Sequence, residues 1–177
     1  MAEQITINRA PVLTLWASVV AEGMGFDRDA ALSLGKCLAG LNAQSKGRML
    51  GIYGARKAPE HGPPKKAGLG EEFWVELCGR PVPARNTDCG VRAVVGDRPV
   101  EPQSVERYLQ GKFGEDLPAA RDAMLALASA LTPGELSSRA YALYERFRPE
   151  IPTGRRGWGA KGELDLGLIR SMAAGSR

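Results

Sequence analysis

The chain has 177 residues, 44% of them hydrophobic and 25% charged, and carries a formal net charge of +4. That length can enclose one substantial core, and the composition is globular rather than disordered. It excludes a membrane span, since the longest apolar run, Pro11 to Val20, is short and interrupted by Thr14 and Ser18. It also excludes a disulfide framework, because Cys37, Cys78 and Cys89 are odd in number and widely spaced. The N-terminus lacks the basic and apolar regions of a signal peptide, so a soluble cytoplasmic protein in a reducing compartment is expected.

Residues 1–8 read as an extended arm in which Ile5 and Ile7 alternate with polar neighbours. Asn8 is placed to cap a helix from Arg9, with Pro11 in its first turn. Val12, Leu13, Leu15, Trp16, Val19 and Val20 make that helix apolar over most of its circumference, which predicts burial on more than one side. Gly23 and Gly25 end it. Asp27 caps a second helix with Leu34, Cys37, Leu38 and Leu41 at helical spacing, so residues 9–46 form a helical hairpin. Residues 47–71 are rich in glycine and contain Pro59, Pro63 and Pro64, which predicts a long loop.

Residues 72–100 read as a three-stranded antiparallel meander. Phe73 to Cys78 is the first strand, Gly79-Arg80 a turn, and Asn86 to Gly90 a turn cluster before a strand at Val91 to Val95. Pro81 and Pro83 cannot donate to a ladder, so the middle segment pairs incompletely or lies at an edge. Residues 102–148 return to helices. Val105, Tyr108, Leu109 and Phe113 mark one that stops at Gly114. Asp116 caps the next, with Ala120, Ala123, Met124, Leu127 and Leu131 inward. Thr132-Pro133-Gly134-Glu135 has the form of a capping box ahead of Leu136, Ala140, Leu143, Tyr144 and Phe147. Pro149 ends that helix. Residues 149–177 hold a linker and a short helix capped by Asp165, with Leu166, Ile169 and Met172 inward. The expectation is one α+β domain over 1–177, mainly helical, with the meander between an N-terminal helix pair and a C-terminal helical group.

Charge is the strongest functional signal. Between Lys46 and Lys66 stand six basic residues, Lys46, Arg48, Arg56, Lys57, Lys65 and Lys66, against one acid, Glu60. The rest of the chain is close to neutral. Cations on a flexible backbone suit phosphates, which need charge and reach rather than fixed geometry, and Tyr53 and His61 could stack on bases. A solvated loop that aids solubility explains the same residues. A second basic segment is Gly154-Arg155-Arg156-Gly157-Trp158-Gly159-Ala160-Lys161-Gly162. Its Trp158 could stack a base or dock on a partner, or could fold back to pin the C-terminal segment.

The hairpin at 9–46 also invites comparison with a helix-turn-helix unit, with Arg28, Ser33, Lys36 and Gln44 near a groove. An ordinary core hairpin takes precedence, because Ala30, Ala31 and Leu32 are too apolar for the first turns of a reading helix. Catalysis has little to stand on. His61 is the single histidine and lacks an orienting acid, the cysteines lack zinc spacing, and no phosphate-cradling glycine motif is present. No catalytic residue, metal site or cofactor is assigned.

The leading expectation is a non-enzymatic nucleic-acid-binding protein with little sequence specificity. DNA is the expected ligand, held by Lys46, Arg48, Arg56, Lys57, Lys65, Lys66, Arg155, Arg156, Trp158 and Lys161. One alternative is a protein–protein adaptor, or a homo-oligomer that self-associates through the apolar N-terminal helices. Another is an enzyme acting on a small anionic substrate. None of the three involves a membrane.

Overall fold

A computed structural model describes residues 4–49, 72–95, 98–150 and 161–175, the side chains of 43–49 excepted. In chain order the elements are strand β1 (Gln4–Asn8), helices α1 (Arg9–Gly23) and α2 (Arg28–Met49), and strands β2 (Glu72–Leu77), β3 (Arg80–Thr87), β4 (Gly90–Val95) and β5 (Arg98–Pro99). Helices α3 (Pro102–Phe113), α4 (Leu117–Ser129) and α5 (Pro133–Phe147) follow, with a 3-10 turn at Gly114–Asp116 between the first two. Strand β6 (Lys161–Asp165) and helix α6 (Leu166–Gly175) complete the set. The class is α+β, mainly helical.

Helix α1 is the centre of the molecule. Every residue from Pro11 to Ala21 is buried, so the helix has no solvent face in that span. Helices α2, α3, α4 and α5 all pack on it. Its two polar interior residues satisfy themselves along the helix. Thr14 Oγ1 donates to the Ala10 carbonyl at 2.9 Å and Ser18 Oγ to that of Leu15 at 2.8 Å. Trp16 is fully buried, and its indole N–H donates to the Ala140 carbonyl at 2.9 Å. Its ring meets Phe147 edge to face at 5.3 Å. The α1–α2 crossing is close because Gly35 lies on the backbone of Thr14 and Ser18.

The caps follow the sequence in part. Asp27 Oδ1 accepts from Ala30 N at 2.8 Å. Thr132 and Glu135 form the full reciprocal capping box. Asn8 and Asp116 occupy N-cap positions but make no side-chain capping bond. Asn8 is also the last residue of a paired strand, and Asp116 has helical rather than extended dihedrals.

The sheet β2-β3-β4-β5 has four antiparallel strands rather than the three expected. Arg98-Pro99 does not merely close the unit; it pairs with Val95 and Val94. The two hairpin turns are Cys78-Gly79, one residue before the expected Gly79-Arg80, and Asp88-Cys89, inside the expected Asn86 to Gly90 cluster. Cys78 (φ 50°) and Gly79 (φ 76°) both have positive φ, the form that matches strand twist in two-residue hairpins. Such a turn makes Leu77 and Arg80 a hydrogen-bonded pair, and the same character recurs at Val82 and Ala84. The nitrogens of Pro81 and Pro83 therefore face β4, where a donor is missing. The β3–β4 ladder accordingly begins only at Ala84, while β2 pairs with the whole of Arg80–Arg85. Cys78 and Cys89 sit in turns at opposite ends of β3.

The linker expected after Arg148 is shorter than drawn. Lys161 and Gly162 belong to β6, which pairs antiparallel with β1 from Asn8↔Lys161 to Gln4↔Asp165. Glu150 bridges to Glu163 on the other side of β6, and Gly162 lies on the Glu150 backbone where a Cβ has no room. Asp165 Oδ1 then accepts from Leu168 N at 3.1 Å and starts α6. No helix among the described residues is long and apolar enough to cross a membrane.

Gly35→Ala tests the central crossing. Its Cβ would stand 2.6 Å from the Thr14 carbonyl oxygen and 2.9 Å from Ser18 N. The two helix backbones must separate, and calorimetric unfolding should show a loss of about 1–3 kcal/mol.

Candidate nucleic-acid interface

Helix α2 continues through Met49, three residues past the expected end at 46, so the backbone of Gly47 is helical and not loop. Lys46 and Arg48 ride on its last turns. Their side chains, with all of Arg56, Lys57, Lys65, Lys66, Arg155, Arg156 and Trp158, lie outside the described residues. Tyr53 and His61 lie outside them too. Lys161 is described and exposed, at the start of β6 opposite Asn8.

The first half of α2 is not a reading helix. Ser33 is buried; its hydroxyl donates to the Ala30 carbonyl at 2.8 Å and accepts from Ala93 N at 3.0 Å. Arg28 is paired with Glu106 at 2.8 Å. Lys36 stands 3.9 Å over the Tyr108 ring, and its pKa is lowered by burial and then by Lys112. The groove-facing set Arg28, Ser33, Lys36 is therefore corrected: β4 and α3 occupy that side of α2.

The other end of α2 is arranged differently. Asn42 is buried, and its side-chain oxygen accepts from the Tyr141 hydroxyl at 3.3 Å. Tyr141 packs at 5.7 Å on Tyr144, whose hydroxyl reaches the Arg9 carbonyl at 3.5 Å. Arg9 Nε donates to the Pro149 carbonyl at 2.7 Å, beside Arg148. The Arg148 guanidinium lies over the Tyr144 ring at 6.0 Å. This chain of contacts fixes where the α2 terminus emerges. Met49 is seven residues beyond Asn42, about 10 Å along the axis. Lys46 and Arg48 thus leave the fold near the N-terminal end of α1, where Arg9, Arg148 and Lys161 also lie.

Arg9, Arg148 and Lys161 belong, with Arg80, Arg98, Arg107, Lys112, Arg139 and Arg146, to the cations that make no ion pair among the described residues. Four ion pairs occur among the described residues: Arg28–Glu106, Arg85–Glu72, Arg92–Asp29 and Arg121–Glu22. Each joins two elements. Arg121 holds both oxygens of Glu22, tying α4 to α1. Arg92 is buried, bonds the Val91 and Cys89 carbonyls and lies 3.9 Å from Asp29. None of the four includes Arg9, Arg148 or Lys161. Glu163, the acid nearest Lys161 on the outer face of β6, instead accepts from Thr6 Oγ1 at 2.6 Å.

Tyr144 registers both arginines. Burial raises its pKa, Arg148 and Arg9 oppose the rise, and Tyr141 and Cys78 add to it. The two buried thiols offer no ready nucleophile. Burial pushes Cys37 to about 11 and Cys78 to about 12, while Cys89 is exposed in its turn. Among the described residues no group of three or more His, Cys, Asp or Glu could hold a metal ion.

Sequence reasoning missed Arg9 and Arg148 because they stand alone in the chain, at a helix start and a helix end. The signal was there in part, since Arg9 follows the arm and Arg148 precedes Pro149. Only the fold brings the two together. No family model, no curated protein and no solved structure matches this chain.

The titration shifts give a signed prediction. The folded pKa values of Cys37 and Cys78 are raised from 9.0 to about 11 and about 12, and that of Tyr144 is raised as well. Their contribution to stability is complete below pH 9 and is lost as pH rises toward 12. Lys36 acts in the opposite sense, its folded value being lowered. Burial raises Tyr108 too, and four groups against one should make denaturant midpoints fall across that window. A thiol reagent near neutral pH should label Cys89 alone until the protein unfolds.

Proposed function

We propose that this protein binds nucleic acid through its phosphates without catalysing a reaction on it. DNA is the expected form, contacted with little sequence specificity, and a cytoplasmic location accompanies this reading. One observation carries it. Helix α2 delivers the basic stretch that begins at Lys46 to the end of the fold where Arg9, Arg148 and Lys161 stand without carboxylate partners among the described residues. Cations from four parts of the chain brought to one end suit a polyanion better than scattered solubilising charges do. Arg56, Lys57, Lys65, Lys66, Arg155, Arg156 and Trp158 extend the proposed surface from sequence alone.

The burial of α1 bears on self-association. The surplus of apolar surface on that helix was the reason to consider a dimer through it. Trp16 and its neighbours are already covered within one chain, so that motive is gone.

A mobility-shift titration at two salt concentrations tests the proposal. Binding should be measurable at low salt and should weaken steeply with added salt, by about 0.9 in log–log slope for each phosphate neutralised on duplex DNA. Neutralising Lys46, Arg48, Arg56 and Lys57 together should abolish the shift. No binding by the wild type at low salt, or equal binding by the quadruple variant, rejects the reading.

A further inference from the structure

Two arginines lie beside Tyr144 at the N-terminal end of α1, and neither makes an ion pair among the described residues. Arg9 comes from the β1–α1 junction and Arg148 from the end of α5. The Arg9 Nε–Pro149 O bond of 2.7 Å holds the first beside the backbone of the second. Both side chains are half-buried, and both act on the phenol of the buried Tyr144. Two like charges in a partly dry setting repel unless an anion or solvent neutralises them. Elsewhere in the described fold, Arg28, Arg85, Arg92 and Arg121 each have a carboxylate, while Arg98, Arg107, Arg139 and Arg146 have none but are exposed to solvent. Here the neighbouring acids Glu145 and Glu150 are exposed and make no ion pair with either arginine.

The donors left over describe the missing partner. Among the described residues Arg9 commits only Nε, which leaves its Nη groups for another acceptor. The Arg148 side chain has the Tyr144 ring beneath it and makes no hydrogen bond among the described residues. Two planar forks arriving from separate elements match an oxyanion with oxygens on more than one side. Lys161, exposed across from Asn8, adds a point charge on the neighbouring strand.

We propose that Arg9 and Arg148 together form a phosphate-binding site. It rests on the reading above for the bearer of that phosphate, a nucleic-acid backbone, whereas a free phosphate is the same chemistry from another source. The rim of the site is the Arg9–Pro149 contact, and its floor is Tyr144. Arg148 is the better probe, since Arg9 also holds the chain together through Pro149.

The experiment compares wild type, Arg148→Gln, Arg148→Lys and the nearby exposed Arg146→Gln, each first checked for an unchanged melting temperature. Each is titrated with a random-sequence duplex oligonucleotide over a salt series, and with inorganic phosphate while the Arg9 and Tyr144 amide resonances are followed. Arg148→Gln should reduce the log–log salt slope by about 0.9 and remove the phosphate-induced shifts. Arg148→Lys should keep the slope but weaken the shifts, since it retains the charge and loses the fork. Arg146→Gln should keep the shifts. If Arg148→Gln matches wild type in slope and shifts while wild type binds the oligonucleotide, the site is wrong and nucleic-acid binding stands. If phosphate shifts vanish in Arg148→Gln but wild type ignores the oligonucleotide, the site stands with a small phosphate as its ligand and the nucleic-acid reading falls. A slope change without free-phosphate shifts supports a polymeric phosphate. Wild type that responds to neither ligand overturns both.

Discussion

The structure depends on α1 having no exposed side between Pro11 and Ala21. A helix that is apolar around its circumference cannot rest on one neighbour; it has to be enclosed. Helix α2 covers one side at the spacing that Gly35 permits, and α3, α4 and α5 cover the others. Thr14 and Ser18 can be interior because each hydroxyl returns to its own helix. Trp16 is held by a hydrogen bond as well as by packing, so α5 is fixed in rotation as well as in position. Replacing such a buried Trp by Ala removes about 3–5 kcal/mol, a large part of the stability of a chain this size.

Enclosing α1 dictates what happens at its ends. At its C-terminal end, the Glu22–Arg121 pair and the Asp27 cap close the structure with acids and bases matched. At its N-terminal end, the chain arrives as β1 and is met by β6, two five-residue strands with the same alternation of exposed and buried positions. Each runs directly into a helix, so the first and last described elements form one clamp. The outer positions of that clamp carry Thr6, Asn8, Lys161 and Glu163, and its inner positions include Ile5, Ile7 and Leu164. The start of α1, the end of α5 and the start of β6 meet at that end, and each carries a basic residue, Arg9, Arg148 and Lys161.

The helices were legible because their signals are local. The capping box at Thr132 and Glu135, the Asp27 cap and the amphipathic stripe of α5 depend on residues within a few positions of one another. The incomplete ladder of β3 was legible too, since the missing donors of Pro81 and Pro83 act wherever the strand lies. Long-range pairings were not. Nothing near Lys161 or Gly162 marks a strand, and their conformation is set by β1, more than 150 residues earlier. The Asn8 side chain is a matching case. Its residue type suits a cap, yet the position ends a paired strand and no capping bond forms. For the candidate site, charge density pointed to the 46–66 segment because density is a local property. Arg9 and Arg148 carry no such density, and their proximity is created by tertiary packing alone.

Electrostatic economy separates the arginines that hold this fold together from those that do not. Arg28, Arg85, Arg92 and Arg121 each bridge two elements, and in each case an acid offsets part of the desolvation. Removing an acid from such a pair leaves a cation with an unmet demand. Among the described residues Arg148 has no carboxylate, and its guanidinium lies 6.0 Å over the Tyr144 ring. Solvent ions screen it over distances of about 8 Å at physiological salt, but they supply no directed hydrogen bonds. Arg9 ties the head of α1 to Pro149, while Arg148 makes no such tie among the described residues, and cations held near one another are stabilised most by an anion that both can share.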